Sequence, residues 1–149
     1  MPPDFSLQPV LDFRHNRVEA LETELGQMLN ARRLVQDELA ILFVSEARVM
    51  GDLALRQSGE VDLVSVAQLR SFQKALEAQI VQHQAALAQW SQKVTEQQHQ
   101  VVAARQEEEA LLTLKKKSVE RFQNQQTLYE RRLQDDIYIS QAYHHRQAR

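Results

Sequence analysis

Two ladders of apolar residues at heptad spacing, separated by one short break, constrain the fold of this chain more than any other feature. The first ladder comprises Leu11, Val18, Leu21, Leu25, Met28, Val35, Leu39, Leu42, Val49 and Leu53. The second comprises Val66, Leu69, Leu76, Ile80, Leu87, Trp90, Val94 and Val101. A stripe that repeats every 3.5 residues is a narrow seam, which buries well only against a matching helix. The ladders therefore predict a rod of two paired helices that encloses no large pocket.

The composition favours an all-α fold. No proline follows Pro9, so the rest of the chain lacks the strongest helix breaker. Ala, Leu, Glu, Gln, Lys and Arg dominate, and these residues fit a helix interior at little cost. Aromatic residues make up 6% of the 149 residues, too few for a thick compact core. We expect a long antiparallel two-helix coiled-coil hairpin, in which the C-terminal part of the second helix overhangs the first.

The predicted boundaries follow from the break between the ladders. Helix 1 is expected at about 9–56, a turn at 57–62 and helix 2 at about 63–138. The whole chain, 1–149, is expected to form a single coiled-coil domain with disordered ends.

Local signals support these boundaries. Pro9 suits the first turn of a helix, where its missing N–H costs nothing. Gly59 is expected to end helix 1 in the left-handed conformation. Asp62 or Ser65 is expected to cap helix 2 by accepting hydrogen bonds from its first N–H groups.

Pairing outward from the turn places Leu11 near Glu108, so residues beyond about 110 are predicted to have no partner on helix 1. An overhanging helix whose apolar residues have no partner on helix 1 is a candidate for binding another protein. The alternatives are self-association and fraying. The apolar residues of the overhang are Leu111, Leu112, Leu114, Val119, Phe122, Tyr129, Leu133, Ile137 and Tyr143. Polar residues on the predicted seam are expected to lower stability but to fix register; they are Arg14, Arg32, Glu46, Gln73, His83, Gln97 and Glu108.

Charge and composition exclude several classes of function. The formal net charge is −2, with 9 basic and 13 acidic residues in 1–104 and 9 basic and 7 acidic residues in 105–149. This balance disfavours nucleic-acid binding and leaves a slightly basic tail that suits an acidic partner. Cysteine is absent, which excludes disulfides and thiolate chemistry. No apolar run is long enough to span a bilayer and no signal peptide is apparent, so we expect a cytosolic protein without membrane insertion.

No arrangement of residues points to catalysis, so neither an enzymatic activity nor a cofactor is expected. Glu96 and His99 have the Glu-x-x-His spacing of di-iron bundles, and Asp12 with His15 is a near match, but such sites need four helices at one level. We interpret these side chains as solvated. The run 115–117 of three lysines is either a solvated face or a site for phosphate or an acidic partner. Trp90 is interpreted as a packing residue, while Phe72 and His83 fit either helix packing or a docking surface.

The segment FQKALEAQIVQHQAALAQWSQKV, residues 72–94, strongly resembles the corresponding part of the flagellar export protein FliJ family. The lead-in FSLQPVLDFR, residues 5–14, resembles the N-terminus of the same family. The chain length, the position of the break and the long second helix agree, so the resemblance covers essentially the whole chain. A virulence-type secretion stalk protein would look similar, with a poorer match in the central segment.

The resemblance implies a cytosolic, non-enzymatic component of the type III export apparatus, associated with the membrane only through that apparatus. Members of the family resemble the central stalk of rotary ATPases, bind the hexameric export ATPase, promote its ring assembly, contact the cytoplasmic region of the export gate and escort export chaperones. The resemblance places export-gate binding at Leu42, Phe72, Leu76 and His83. It makes Arg14, Arg17, Lys116, Arg121 and Phe122 candidates for binding the ATPase ring. The alternatives are a passive coiled-coil adaptor or tether and the equivalent stalk protein of a virulence secretion system.

Overall fold

The computed structural model of the protein describes residues 4–59 and 62–147. Helix α1 comprises Gln8–Arg56 and helix α2 comprises Leu63–Gln147. The two helices pack against each other as a helical hairpin, and the described residues contain no strand, which confirms the predicted fold class. Helix α2 continues nine residues beyond the end that was predicted near 138, because no glycine or proline follows Gly59 to stop it. The predictions for residues 1–3, 60–61 and 148–149 lie outside the described residues.

Local hydrogen bonds explain where each helix begins. The backbone N–H of Gln8 donates to the carbonyl of Phe5 at 3.0 Å, and Pro9 lies in the first turn of α1. The carboxylate of Asp62 accepts from the N–H groups of Val64 and Ser65 at 3.1 and 3.5 Å. Asp62 is therefore the residue that caps α2, one of the two candidates from the sequence.

The end of α1 differs from the prediction. None of the described glycines has a positive φ, so Gly59 does not adopt the left-handed conformation. Instead, the Ser58 hydroxyl donates to the carbonyl of Leu55 at 2.8 Å, and the Gln57 N–H donates to the carbonyl of Leu53 at 3.1 Å. Carbonyl groups that the helix end leaves unpaired are thus satisfied without a change in backbone handedness.

The described chain divides into two compact units, each built from one segment of α1 and one of α2. One unit is Glu19–Val102, which contains the turn. Val49, Leu53 and Leu76 form its buried cluster, and Leu42, Val66 and Leu69 pack against that cluster. Val94 is its most buried side chain, with 1% of its surface exposed. These residues all belong to the two apolar ladders, so the heptad pattern determines which side of each helix is buried.

The other unit combines the residues up to Val18 with those from Ala103 onward. Arg14 pairs with Glu107, and His15 pairs with Glu108, so the beginning of α1 lies beside this part of α2. Asp4 and Phe5 reach further and line a groove with Ser118 and Val119. The overhang therefore begins after Val119, later than the predicted 110, because the residues before α1 also lie against α2.

Candidate functional site

The turn-proximal strip, defined as Leu42, Phe72, Leu76 and His83, does not form one continuous surface. Leu76 is 5% exposed inside the buried cluster, and Leu42 packs against that cluster. Phe72 lies on the outside of α2 with 53% of its surface exposed. The packing between the helices therefore occupies the two leucines, and Phe72 is the member of the strip whose side chain is most available to a partner.

His83 joins the two helices through a polar contact. Its Nδ1 lies 2.8 Å from the carbonyl oxygen of Gln79, and its Nε2 lies 2.9 Å from Oε2 of Glu38 on α1. A neutral imidazole carries one N–H, so only the protonated ring can donate to both oxygens at once. The carbonyl of Gln79 and, second, the carboxylate of Glu38 raise the pKa of His83 above its ordinary value of 6.5.

The five residues proposed for ATPase binding all belong to the unit that contains the N-terminal segment. Arg14 Nη1 lies 2.7 Å from Oε2 of Glu107, so its charge is already paired within the chain. Arg17, Lys116 and Arg121 are exposed, and Phe122 is half-buried. The structure thus brings these residues into one unit, with three exposed positive charges among them.

The overhang stripe, defined as Phe122, Tyr129, Leu133 and Ile137, continues one side of α2. Counting from the buried Ala104 through the half-buried Leu111 to the four members of the stripe, successive residues are 7, 11, 7, 4 and 4 positions apart. Each of these spacings returns to the same side of an α-helix. Every described residue from 123 to 147 is exposed. Tyr129, Leu133 and Ile137 are 66%, 48% and 51% exposed, so the stripe is an apolar surface that α1 leaves uncovered.

Helix α1 carries a second apolar surface, which lies outside the two ladders. The outer stripe comprises Leu34, Asp37, Ile41, Val44, Arg48, Gly51 and Leu55, which alternate spacings of three and four residues. All seven are exposed, whereas Leu39, Val49 and Leu53 on another side of the same helix are buried. The signal was present in the sequence, because an apolar residue precedes the ladder by one position at both Leu34 and Ile41.

The described residues contain no group of three or more His, Cys, Asp or Glu side chains that could hold a metal ion. Nδ1 of His15 lies 2.7 Å from Oε1 of Glu108, so this side chain already has a partner within the chain. Trp90 is half-buried, and the Lys93 ammonium lies 4.7 Å from the centre of its ring. No helix within the described residues is both long enough and apolar enough to cross a membrane.

Comparison with known proteins agrees with these observations. The sequence profile of the family described as "Flagellar FliJ protein" matches residues 3–148, nearly the whole chain. No curated protein matches the chain, and no solved structure matches it.

Proposed function

The chain belongs to the flagellar FliJ protein family and is thus a flagellar export-associated protein of a non-catalytic class, and we propose that it is a stalk-like component that binds the hexameric export ATPase. In this proposal it promotes assembly of the ATPase ring and couples the ring to the cytoplasmic region of the export gate. The observation that carries the proposal is the overhang stripe, because it continues the buried side of α2 from the half-buried Phe122 to the exposed Tyr129, Leu133 and Ile137.

The chemistry of the unit fits such a contact. Arg17, Lys116 and Arg121 add exposed positive charge to the unit that carries the stripe. Aromatic and aliphatic side chains at the centre of an interface contribute most of the binding energy, and surrounding charges mainly steer association. We therefore expect Tyr129, Leu133 and Ile137 to dominate affinity for the ATPase, and the basic residues to make association depend on salt.

The chain offers a closely matched pair of variants for testing this. The test variant replaces Tyr129, Leu133 and Ile137 by Ser. The control variant replaces Leu128, Tyr138 and Ile139 by Ser, which removes the same three residue types from the opposite side of the overhang. All six side chains are at least 48% exposed, so neither variant removes buried packing.

Each full-length variant is mixed with the purified export ATPase, and binding, ring assembly and ATP hydrolysis are measured. The proposal expects the test variant to lose binding and the control variant to keep it. Equal behaviour of the two variants would remove the stripe from the mechanism. A wild-type chain that neither binds the ATPase nor changes its assembly would leave only the passive tether.

For the export gate, we propose that Phe72 makes the principal contact of the turn-proximal strip. Phe72→Ala is expected to weaken binding to the cytoplasmic region of the gate while leaving the stability of the hairpin unchanged, because this side chain is 53% exposed. Leu76→Ala would instead destabilise the hairpin. Escort of export chaperones is part of the same proposal, and a chaperone pull-down with wild-type chain and the Phe72 variant tests it.

A further inference from the structure

The outer stripe of α1 has the pattern of a second coiled-coil seam. Its alternating spacings of three and four residues place its seven positions along one side of the helix. The four large apolar members, Leu34, Ile41, Val44 and Leu55, are 57%, 65%, 62% and 74% exposed. A helix in a two-helix hairpin needs one apolar side, to pack against its partner helix. Helix α1 has a second apolar side, which its own chain does not cover.

No contact within the chain explains why a glycine stands at position 51 of this stripe. A glycine in a helix interior costs about 0.5–1 kcal/mol relative to alanine. No atom of the chain lies within 4 Å of the position that a Cβ at residue 51 would occupy, and its φ is not positive. Neither close packing within the hairpin nor backbone strain accounts for it. Close approach of a side chain from another molecule would account for it.

The positions of the charges and of Gly51 identify the occupant as a second copy of this chain. When two copies of the stripe run antiparallel about a two-fold axis between residues 42 and 43, Ile41 of each copy faces Val44 of the other. In the same register, Asp37 faces Arg48 and Leu34 faces Gly51. Because a two-fold interface uses every contact twice, one register forms two ion pairs and places two leucines over two glycines.

Other arrangements are less favourable. A parallel pair in register would bring Asp37 against Asp37 and Arg48 against Arg48, and like charges across an interface are repulsive. An antiparallel pair displaced by one heptad would set Asp37 against Leu55 and leave the charges unpaired. Charge complementarity therefore selects the register that also pairs Gly51 with the large Leu34.

The surface of the stripe already contains a recess of the required kind. Ile41, Val44, Ser45 and Arg48 stand at positions i, i+3, i+4 and i+7 and, with Ala40, line a shallow groove of about 380 Å³. Four residues at this spacing form the hole that receives one side chain of the facing helix in a coiled coil. In the antiparallel register the side chain that enters is that of Ile41 from the second copy, which faces Val44.

We propose that the outer stripe is the interface of an antiparallel homodimer of this chain. From Leu34 to Gly51, the outermost positions that this register pairs, the contact is about 26 Å long. Such a single helix-to-helix contact buries well under the roughly 1,600 Å² of a standard stable interface, so the dimer is weak and depends on concentration. The inference does not rest on the proposed function, because it uses residues that belong to neither the overhang stripe nor the turn-proximal strip.

Sedimentation equilibrium of the full chain over a wide range of concentration tests the proposal. The wild type is expected to dimerise reversibly. Val44→Glu is expected to abolish the dimer, and Val81→Glu is the matched control, because Val81 is a valine of nearly equal exposure, 64%, on α2. A chain that stays monomeric throughout, or a dimer that both variants or neither variant disrupts, would overturn the proposal.

Charge reversal tests the register. Asp37→Arg alone and Arg48→Asp alone each turn two attractions into two repulsions, and each is expected to raise the dimer dissociation constant by about tenfold or more. The double variant restores both pairs with reversed sign and is expected to recover wild-type association. Failure of the double variant to recover would contradict the antiparallel register.

Gly51→Ala separates folding from association. It is expected to raise the melting temperature of the hairpin, because alanine is the better helix former, and to weaken the dimer, because its Cβ fills the space opposite Leu34. A variant that gains stability and dimerises as well as wild type would exclude the close approach at Gly51. Loss of the dimer in the overhang variant alone would assign the contact to that other surface.

Discussion

Gln97 is a buried polar residue of the seam, and replacing it distinguishes stability from specificity. Its side chain is 5% exposed. Its Nε2 donates to the carbonyl oxygen of Leu21 at 3.0 Å and to Oε2 of Glu24 at 3.2 Å, both on α1. The sequence predicted a polar residue at this seam position, with the expectation that it fixes register and lowers stability.

The two substitutions Gln97→Ala and Gln97→Leu lose the same hydrogen bonds but differ in packing. Each lost bond costs about 1 kcal/mol net, so alanine, which also leaves a gap, is expected to destabilise the hairpin by about 2 kcal/mol or more. Leucine loses the same bonds but buries an apolar side chain, which contributes about 1.5–3 kcal/mol. Neither acceptor is left orphaned, because the Leu21 carbonyl lies inside α1 and Glu24 is exposed.

We therefore expect the free energy of unfolding of Gln97→Leu to be no more than about 1 kcal/mol below that of wild type, while Gln97→Ala is clearly less stable. Urea denaturation followed by far-ultraviolet circular dichroism measures both free energies of unfolding. If leucine destabilises the hairpin as much as alanine, the hydrogen bonds of Gln97 are worth more than the packing that replaces them. That result would refute the assignment of Gln97 to specificity.

Two further predictions test the packing at Val94 and the polar contact of His83. Val94→Ala should destabilise the chain by about 1–1.5 kcal/mol, because it loses roughly 1.6 kcal/mol from the burial of two methyl groups and recovers part of that free energy through the higher helix propensity of alanine. The control is Val102→Ala, at a valine that is 51% exposed, and it should be nearly neutral in the same urea assay. Nuclear magnetic resonance titration should give His83 a pKa above 6.5, and Glu38→Gln should lower it only in part, because the larger effect comes from the Gln79 carbonyl. Because the pKa of His83 is raised in the folded chain, its contribution to stability is fully present below pH 6.5 and is lost as pH rises through the folded-state pKa. The difference in stability between wild type and Glu38→Gln should therefore shrink at high pH. A His83 pKa at or below 6.5 would contradict the paired contact.

Periodicity predicted the buried side of each helix well, for a physical reason. Only one side of a helix can face its partner in a hairpin, and heptad spacing identifies that side. Leu11, Val49, Leu76 and Val94 are all buried where the ladders placed them. The same argument predicted that Gln97 would lie at the seam, although its partners on α1 depend on side-chain geometry that spacing does not contain.

The features that sequence reasoning missed depend on information other than the seam. The ending of α1 was assigned to Gly59, but the Ser58 hydroxyl satisfies the carbonyl of Leu55. Phe72 and Leu76 were placed in one strip, but Phe72 is 53% exposed, whereas Leu76 is 5% exposed. The start of the overhang shifted to after Val119 because Asp4 and Phe5, which precede the predicted helix 1, line a groove with that residue.

The two uncovered apolar surfaces should act independently, and this separates assembly from self-association. The overhang stripe belongs to the unit with the N-terminal segment, and the outer stripe belongs to Glu19–Val102. Val44→Glu is expected to abolish the dimer without changing affinity for the export ATPase. The triple replacement of Tyr129, Leu133 and Ile137 by Ser should do the reverse. If either variant impaired both activities, one surface would have to serve both partners, and dimerisation and ATPase binding would compete for the chain.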